Sequence, residues 1–410
     1  MMSQFALPFA SNLSMPRLRT LLLLLLLPVH TLFAQQPWVR HTIDDSSQGA
    51  DGVRPADVNG DGRLDLCVGW EEGSVVRVYL HPGPGQVTSP WPAVTVGKVK
   101  SPEDAVFVDV NDDGAIDVVS ACEGKQRTVF MHLAPSDPSA YLDPQAWQTQ
   151  PLTSSKQQAQ WMFVLPWLGD EGEKLRLIAG SKGPDAAIGQ FARPSDAPAT
   201  SNFVWTKLAD AGWIMSLIAE DIDSDGQKDL LYSDRKGSRR GVYWLNLTSH
   251  ETGEARLIGG SDREVMFADV ADIDGDNRRD VMAATRDGGL LVFRRTGEAP
   301  KFETIEIPLP ERTGTGKSVK GADIDLDGSI DLVFSCENSQ KKHGVMWLSR
   351  RPGQSLENSV WSSHPISGYK EGIKFDLLQL IDLDEDGDLD VLTCEERDNL
   401  GVIWYENPTR

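Results

Sequence analysis

Six times along this chain a nine-residue acidic phrase of the form D-x-[DN]-x-D-[GN]-x-x-D stands between two apolar runs. The copies are DVNGDGRLD (57–65), DVNDDGAID (109–117), DIDSDGQKD (221–229), DIDGDNRRD (272–280), DIDLDGSID (323–331) and DLDEDGDLD (382–390). In the last copy FDLLQLI precedes the acids and VLT and GVIWY follow, which reads as strand, acidic turn, strand, turn, strand. Successive copies start 52, 112, 51, 51 and 59 residues apart, so the long interval is two periods with one copy missing. That gap holds WMFVLPWLGDEGEKLRLIAGSK (161–182), where the apolar strands persist without the Asp ladder. The chain therefore has seven units, six with an acidic turn and one without. A period of this length with several short strands per unit predicts an all-β, seven-bladed β-propeller.

The chain ends argue for a closed ring rather than a linear solenoid, whose terminal repeats need polar caps. Most units finish with a fourth strand: AVTVG after Trp91, FVWTKLA at Phe203, ARLIGG at Ala255, KFETIEI at Lys301 and VWSSHPI at Val360. The last unit stops without one, while WVRHTI (38–43) near the N-terminus is a strand without a unit. Trp38 and Ile43 repeat the spacing of Trp361 and Ile366. The N-terminal strand is thus expected to complete the last blade and leave no open sheet edge at the seam.

In a tightly turning loop, oxygens at positions 1, 3 and 5 converge on one point, and the position 7 carbonyl and position 9 carboxylate complete a hard-oxygen shell suited to Ca²⁺. The candidate ligands are Asp57, Asn59, Asp61, Arg63 and Asp65; Asp109, Asn111, Asp113, Ala115 and Asp117; and Asp221, Asp223, Asp225, Gln227 and Asp229. The later loops offer Asp272, Asp274, Asp276, Arg278 and Asp280; Asp323, Asp325, Asp327, Ser329 and Asp331; and Asp382, Asp384, Asp386, Asp388 and Asp390. Residues at position 7 would contribute only their carbonyls. Gly at position 6, or Asn277, permits positive φ where the loop reverses. Up to six calcium ions are expected. The spacing is EF-hand-like as far as the Gly, but Asp replaces the distant Glu and a β-run follows, which excludes helix-loop-helix.

Of the 61 acidic residues against 40 basic ones, the first two loops hold three each at ligand positions and the other four hold four each, 22 in all. That is close to the magnitude of the net charge of −21, so the acidity is mainly loop chemistry. Such a balance argues against general nucleic-acid binding. Arg17 and Arg19 precede Leu21 to Leu27, Pro28 and Ala34, the order of a secretory signal over residues 1–34, and counting from Met15 gives that signal ordinary length. Its apolar run is too short to span a bilayer, so a secreted or periplasmic protein with no stable membrane anchor after cleavage is expected, with residues 35–410 as the propeller.

The motifs, each set between two β-runs, resemble FG-GAP/VCBS repeats, the family of the calcium-bearing propeller of integrin α chains and of many exported bacterial proteins. The resemblance extends over about residues 38–408, nearly all of the expected mature chain. It implies seven blades with calcium in the hairpin between the first and second strands of most of them. Two features depart from the family: the Phe-Gly/Gly-Ala-Pro signature is poorly kept, and the third unit lacks a site.

If the acidic hairpins share one face, the opposite face is built from the loops joining strands two to three and four to the next blade. These carry Trp70, Glu71, Lys98, Lys100, Glu123, Lys125, Arg127, Lys182, Arg235, Lys236, Arg239, Arg240, Arg286, Lys341, His343, Lys370, Glu396 and Arg397, among others. This face is the expected seat of a glycan or protein ligand, which makes the chain a binding, adhesion or scaffold module. The competing reading is enzymatic. Glu71, Glu123, Glu337 and Glu396 each follow the last Asp of their motif by six residues. At the channel mouth, with Arg127 and His343 near, they would suit a carbohydrate-active lyase or dehydratase. Cys67, Cys122, Cys336 and Cys394 fall at equivalent places and read as buried filler, with a Cys336 to Cys394 bridge as the alternative. Trp205, Trp244, Trp347, Trp361 and Trp404 read as packing between blades.

Overall fold

The second strand of each unit is largely apolar between its ends, as suits a strand covered on both faces. Asp65–Trp70, Asp117–Cys122, Asp229–Asp234, Asp280–Thr285, Asp331–Glu337 and Asp390–Glu395 are buried at every residue. The outer strands are half solvated instead, and Phe302–Ile307 and Val204–Asp210 carry polar residues along them. The computed structural model describes residues 36–168, 174–194, 202–247, 253–297 and 300–410, and the expected signal segment lies outside them. The described residues form seven four-stranded antiparallel sheets.

Blades 1 to 6 each take four consecutive strands, over 50–97, 102–151, 160–210, 214–259, 265–307 and 315–365. First strands of neighbouring blades contact one another around the ring, and blade 7 contacts blade 1. Blade 3 is built from the stretch without the Asp ladder, its first two strands being Gln160–Trp167 and Arg176–Lys182. Part of the turn between them lies outside the described residues.

Blade 7 contains Gln379–Ile381, Asp390–Glu395 and Gly401–Glu406, and its fourth strand is the N-terminal Val39–Asp44. Val39 pairs with Glu406, His41 with Trp404 and Thr42 with Ile403. The Trp38 N–H also donates to the Ile366 carbonyl at 3.0 Å, tying the seam to blade 6. The ring thus closes as the chain ends predict.

The core lies between blades. Trp404 packs with Val53, Leu66 and Trp70 across the seam of blades 7 and 1. Trp244 meets Val281 and Phe293 between blades 4 and 5, and Trp347 meets Val391 and Tyr405 between blades 6 and 7. The four cysteines are free and buried. Burial alone pushes the Cys122 and Cys336 thiols up to about 12 despite small opposing contacts, so both stay protonated filler.

One irregularity recurs. The pairing of first with second strand slips by a residue near the start of blades 1 to 6, between Asp51 and Val53, Pro102 and Asp104, Trp161 and Phe163, Ile214 and Ser216, Val265 and Ala268, and Gly316 and Ser318. These are β-bulges, which re-aim the extra residue. All sit at the end of the strand away from the acidic turns.

Ring closure by one short strand gives a direct test. Ile43 is 1% exposed and Val39 is 59% exposed on that strand. Ile43→Ala is expected to lower unfolding free energy in denaturant by about 2–4 kcal/mol, and Val39→Ala by less than about 0.5 kcal/mol.

Candidate functional site

Each acidic turn begins where its first strand stops and ends on the first residue of the second strand. Ala50–Ala56 is followed by Asp57, and Asp65 opens Asp65–Trp70; the same holds for the other five. Inside the turn the carboxylates organise the backbone. The position 6 N–H donates to the position 1 carboxylate, as from Gly62 to Asp57 at 2.9 Å, Gly226 to Asp221 at 3.0 Å and Asn277 to Asp272 at 2.8 Å. The position 7 N–H donates to the position 5 carboxylate, as from Arg63 to Asp61, Gln227 to Asp225 and Ser329 to Asp327, each at 2.8 Å. Asn59 and Asn111 accept the position 5 N–H at 2.9 and 3.1 Å just as Asp does elsewhere, so the exchange of Asp for Asn leaves the loop shape intact.

The position 9 carboxylate is a clamp. One oxygen accepts the N–H of position 2 in all six turns, at 2.9–3.1 Å. In blades 1, 2, 5 and 7 the other oxygen accepts an N–H at the end of the third strand, from His81, Ala134, Arg295 and Asn407. Burial, reinforced by the neighbouring loop carboxylates, pushes Asp65, Asp117 and Asp280 up to about 6 and Asp229, Asp331 and Asp390 up to about 7.

Oxygens of Asp221, Asp223 and Asp225 lie within 4.8 Å of one another, as do those of Asp272, Asp274 and Asp276, and of Asp323, Asp325 and Asp331. The donor set is all hard oxygen and the like charges converge, so the residues fit a Ca²⁺-class cation. Backbone conformation adds a feature that sequence reasoning missed. Position 4 has positive φ in every loop, at Gly60, Asp112, Ser224, Gly275, Leu326 and Glu385, although only two are glycine.

A second group of charges gathers on the propeller axis. Asp51, Glu71, Glu103, Glu123, Glu337, Lys182, Arg235, Arg286, Lys317, Lys374 and Arg397 line a pocket of about 300 Å³ together with Trp213. They come from starts of first strands and ends of second strands, so the pocket opens on the face opposite the acidic turns. Three of the four glutamates spaced six after the motif are in its wall, and Glu396 lies beneath, paired with Lys374. Arg127 and His343 do not line it: Arg127 reaches the Gln158 carbonyl and His343 packs against Tyr369. Trp70 is a correction. It is buried in the core, its N–H donating to the Tyr79 hydroxyl, because an alternating strand turns it inward. Asp51, Glu103 and Lys317 were not legible in sequence, since a bulge delivers Glu103 and Lys317 to the axis and shifts the register beside Asp51.

The pocket is divided by charge. Acidic groups dominate blades 1 and 2, while Lys182, Arg235 and Arg286 come from blades 3, 4 and 5. Lys182 pairs with Glu123 and Arg286 with Glu337. The cationic ends of Lys182, Arg235 and Lys236 stand 4.5, 4.6 and 4.7 Å from the Trp213 ring centre, within cation–π range. Burial, then the charge of Glu123, pushes Glu103 up to about 8. Burial likewise carries Glu396 to about 8 against the opposing pull of Lys374.

The family profile described as FG-GAP-like repeat matches residues 57–120 and 239–334. Two crystal structures of BBS1N in complex with ARL6DN, soaked with mercury and with lead, are similar to this chain with a TM-score of 0.52 and 10% sequence identity. The likeness covers 92% of this chain and 98% and 97% of theirs, and at that identity it is one of fold. No curated protein matches this chain in sequence.

Two measurements follow from the loops. The position 9 carboxylates hold protons more tightly folded than unfolded. Their contribution to stability is therefore full below the unfolded value of about 4 and is lost as pH rises through about 6 to 7. In chelator, melting temperature is expected to fall between about pH 5 and pH 8, and saturating calcium should flatten that slope. Leu326, at φ 59° and 40% exposed, holds a conformation that a branched side chain disfavours. Leu326→Gly is expected to raise unfolding free energy by about 0.5–1 kcal/mol, after the entropic cost of Gly.

Proposed function

We propose, on the premise that the chain is a seven-bladed β-propeller of the FG-GAP repeat family, that it is an exported calcium-stabilised binding module. Its ligand, a protein or a glycan, sits on the face opposite the acidic turns. The observation that carries this reading is the axial pocket, where an acidic arc from blades 1 and 2 faces Arg235, Arg286 and Trp213 across about 300 Å³. Fixed charges of both signs around an aromatic ring suit recognition of a polar, charged group rather than an apolar one. The similar propeller BBS1N is described in complex with ARL6DN, a precedent for a macromolecular partner on this fold.

Calcium in the six turns supplies rigidity. The ions would be held by the carboxylates at positions 1, 3, 5 and 9, and Asn59 and Asn111 leave the first two loops one charge short and weaker. Binding free energy at each loop adds to folding free energy. Export would follow from cleavage before Gln35, and the mature N-terminus is then read by N-terminal sequencing.

Thermal unfolding of residues 35–410 with calcium and with chelator, beside ion counting by native mass spectrometry, tests the metal reading. A large fall in melting temperature in chelator and about six loop ions are expected. Asp384→Ala should bind one loop ion fewer and reduce the calcium-dependent stabilisation by about 2–3 kcal/mol; an unchanged melting temperature at saturating calcium would overturn it. For the face, arrays of anionic glycans and acidic peptides are screened with the wild type, Arg235→Ala and Trp213→Ala. Binding that both variants abolish supports the pocket, and binding that neither affects removes it.

The second reading, a carbohydrate-active lyase or dehydratase, is favoured by Glu103, which lines the pocket and is pushed by burial up to about 8, a value suited to proton exchange near neutral pH. Formation of unsaturated products from uronic-acid polymers, lost in Glu103→Gln, distinguishes it from binding alone.

A further inference from the structure

Asp51 stands where two groups of carboxylates meet. Its oxygens lie within 4.8 Å of oxygens of Glu71 and Glu103 on the pocket wall and, separately, of Asp376 and Glu396 beneath it. Asp51, Asp376 and Glu396 are 5%, 0% and 5% exposed. The Asp376 Oδ2 and Glu396 Oε1 atoms are buried without a hydrogen-bond partner among the described residues. Lys374 pairs with Glu396, and Lys317 Nζ lies 3.6 Å from Asp376. Counted as fully ionised, these five carboxylates exceed their two paired ammonium groups by three charges. The nearby cations of blades 3 to 5 are engaged elsewhere, Lys182 with Glu123, Arg235 with Glu264 and Arg286 with Glu337. Buried carboxylate oxygens facing one another without donors are stable only when a cation or a proton lies between them.

We propose that Asp51 anchors a single divalent cation of the calcium class on the propeller axis, distinct from the six turns and on the opposite face. Three oxygens that all lie within 4.8 Å of one another are at most about 2.8 Å from their common centre, within reach of the 2.3–2.6 Å of Ca²⁺ ligands. Asp51, Asp376 and Glu396 hold the ion, and Glu71 and Glu103, grouped with Asp51 on the pocket side, add to the negative field there. The side of the ion facing the cavity is left for water or for an oxygen of the bound ligand, with Arg235 and Trp213 across the opening. Lys317 and Lys374 limit the excess negative charge, so that one ion and not two satisfies the group. The bulge at Glu103 then places a carboxylate beside the ion's anchor, since the regular register would pair that residue in the ladder and turn it from the axis.

The test compares the wild type, Asp51→Asn and Glu103→Gln by ion counting under native conditions across a calcium titration. Asp51→Asn is expected to bind one ion fewer, and Glu103→Gln to need at least tenfold more calcium for the same ion. In chelator Asp51→Asn should melt higher than the wild type, because a like charge has gone, and in calcium it should lose that advantage. Should Asp51→Asn fail to fold, Glu71→Gln, half-exposed at the pocket wall, carries the same comparison. Equal ion counts and equal calcium dependence in the wild type and all folded variants would overturn the proposal and assign the cluster to shared protons. Failure of the loop reading is separable: the wild type would then retain one ion, and Asp51→Asn none.

Discussion

The geometry of the molecule depends on one repeated interaction, the aspartate that opens each motif-bearing second strand and accepts the N–H of the residue seven before it. Through Asp65 the start of the acidic turn, the start of the second strand and the end of the third are held at a single buried carboxylate. Asp117, Asp280 and Asp390 do the same in their blades. A buried carboxyl is costly unless its oxygens are hydrogen-bonded, so once the backbone N–H groups are supplied the turn has few other conformations open to it. The residues between can then vary: Asn59 for Asp, Leu326 where Gly would be easier, Asn277 for Gly. The loop path is the same in each case because the clamp and the carboxylate-to-amide bonds fix it.

This explains which parts of the fold were legible in sequence. A motif whose outer residues make obligatory bonds must recur at full fidelity, and its period alone gave seven units and the place of the silent one. The closing strand was legible for a related reason, since an edge strand without a sheet and a sheet without its edge strand are each unstable alone. Position 4 of the loop was not legible. Its left-handed φ is imposed by the surrounding bonds, and Leu326 or Glu385 advertise nothing of it. The axial residues were only half legible. Glu71, Glu123 and Glu337 follow the motif at a constant offset because the second strand is regular, whereas Glu103 and Lys317 are displaced by bulges that carry no residue signature. Trp70 was misread as a face residue because it ends the buried strand only one residue before that face begins.

Blade 3 shows what the acidic turns are not needed for. It keeps four strands without the ladder, and Trp161, Phe191 and Trp205 form a mutual aromatic cluster with ring centres 4.6–5.3 Å apart. Their neighbours in the same apolar cluster include Val106, Val119 and Val129 of blade 2. Sheet formation is therefore secured by packing between blades, and the acidic turns act on the hairpin ends. In six blades those ends bring like charges together, and in the third, which lacks the Asp ladder, aromatic packing holds the sheet.

The two faces of the propeller consequently solve opposite electrostatic problems. On the turn face, most carboxylates find their amide partners within the same nine residues, and contacts between loops are few, such as the Arg63–Glu385 pair at 2.7 Å. On the axis, carboxylates from blades 1, 2 and 7 are brought together by the ring itself, and the charges that balance them, Lys317 and Lys374, come from blades 6 and 7. No single blade can satisfy Asp51. Its environment exists only when the ring has closed on Val39–Asp44, which makes the axial charge balance a property of the assembled propeller, while the loop chemistry is a property of each repeat. A ligand at the axis would therefore sense the packing of blades 7, 1 and 2 against one another, the region that also contains the seam.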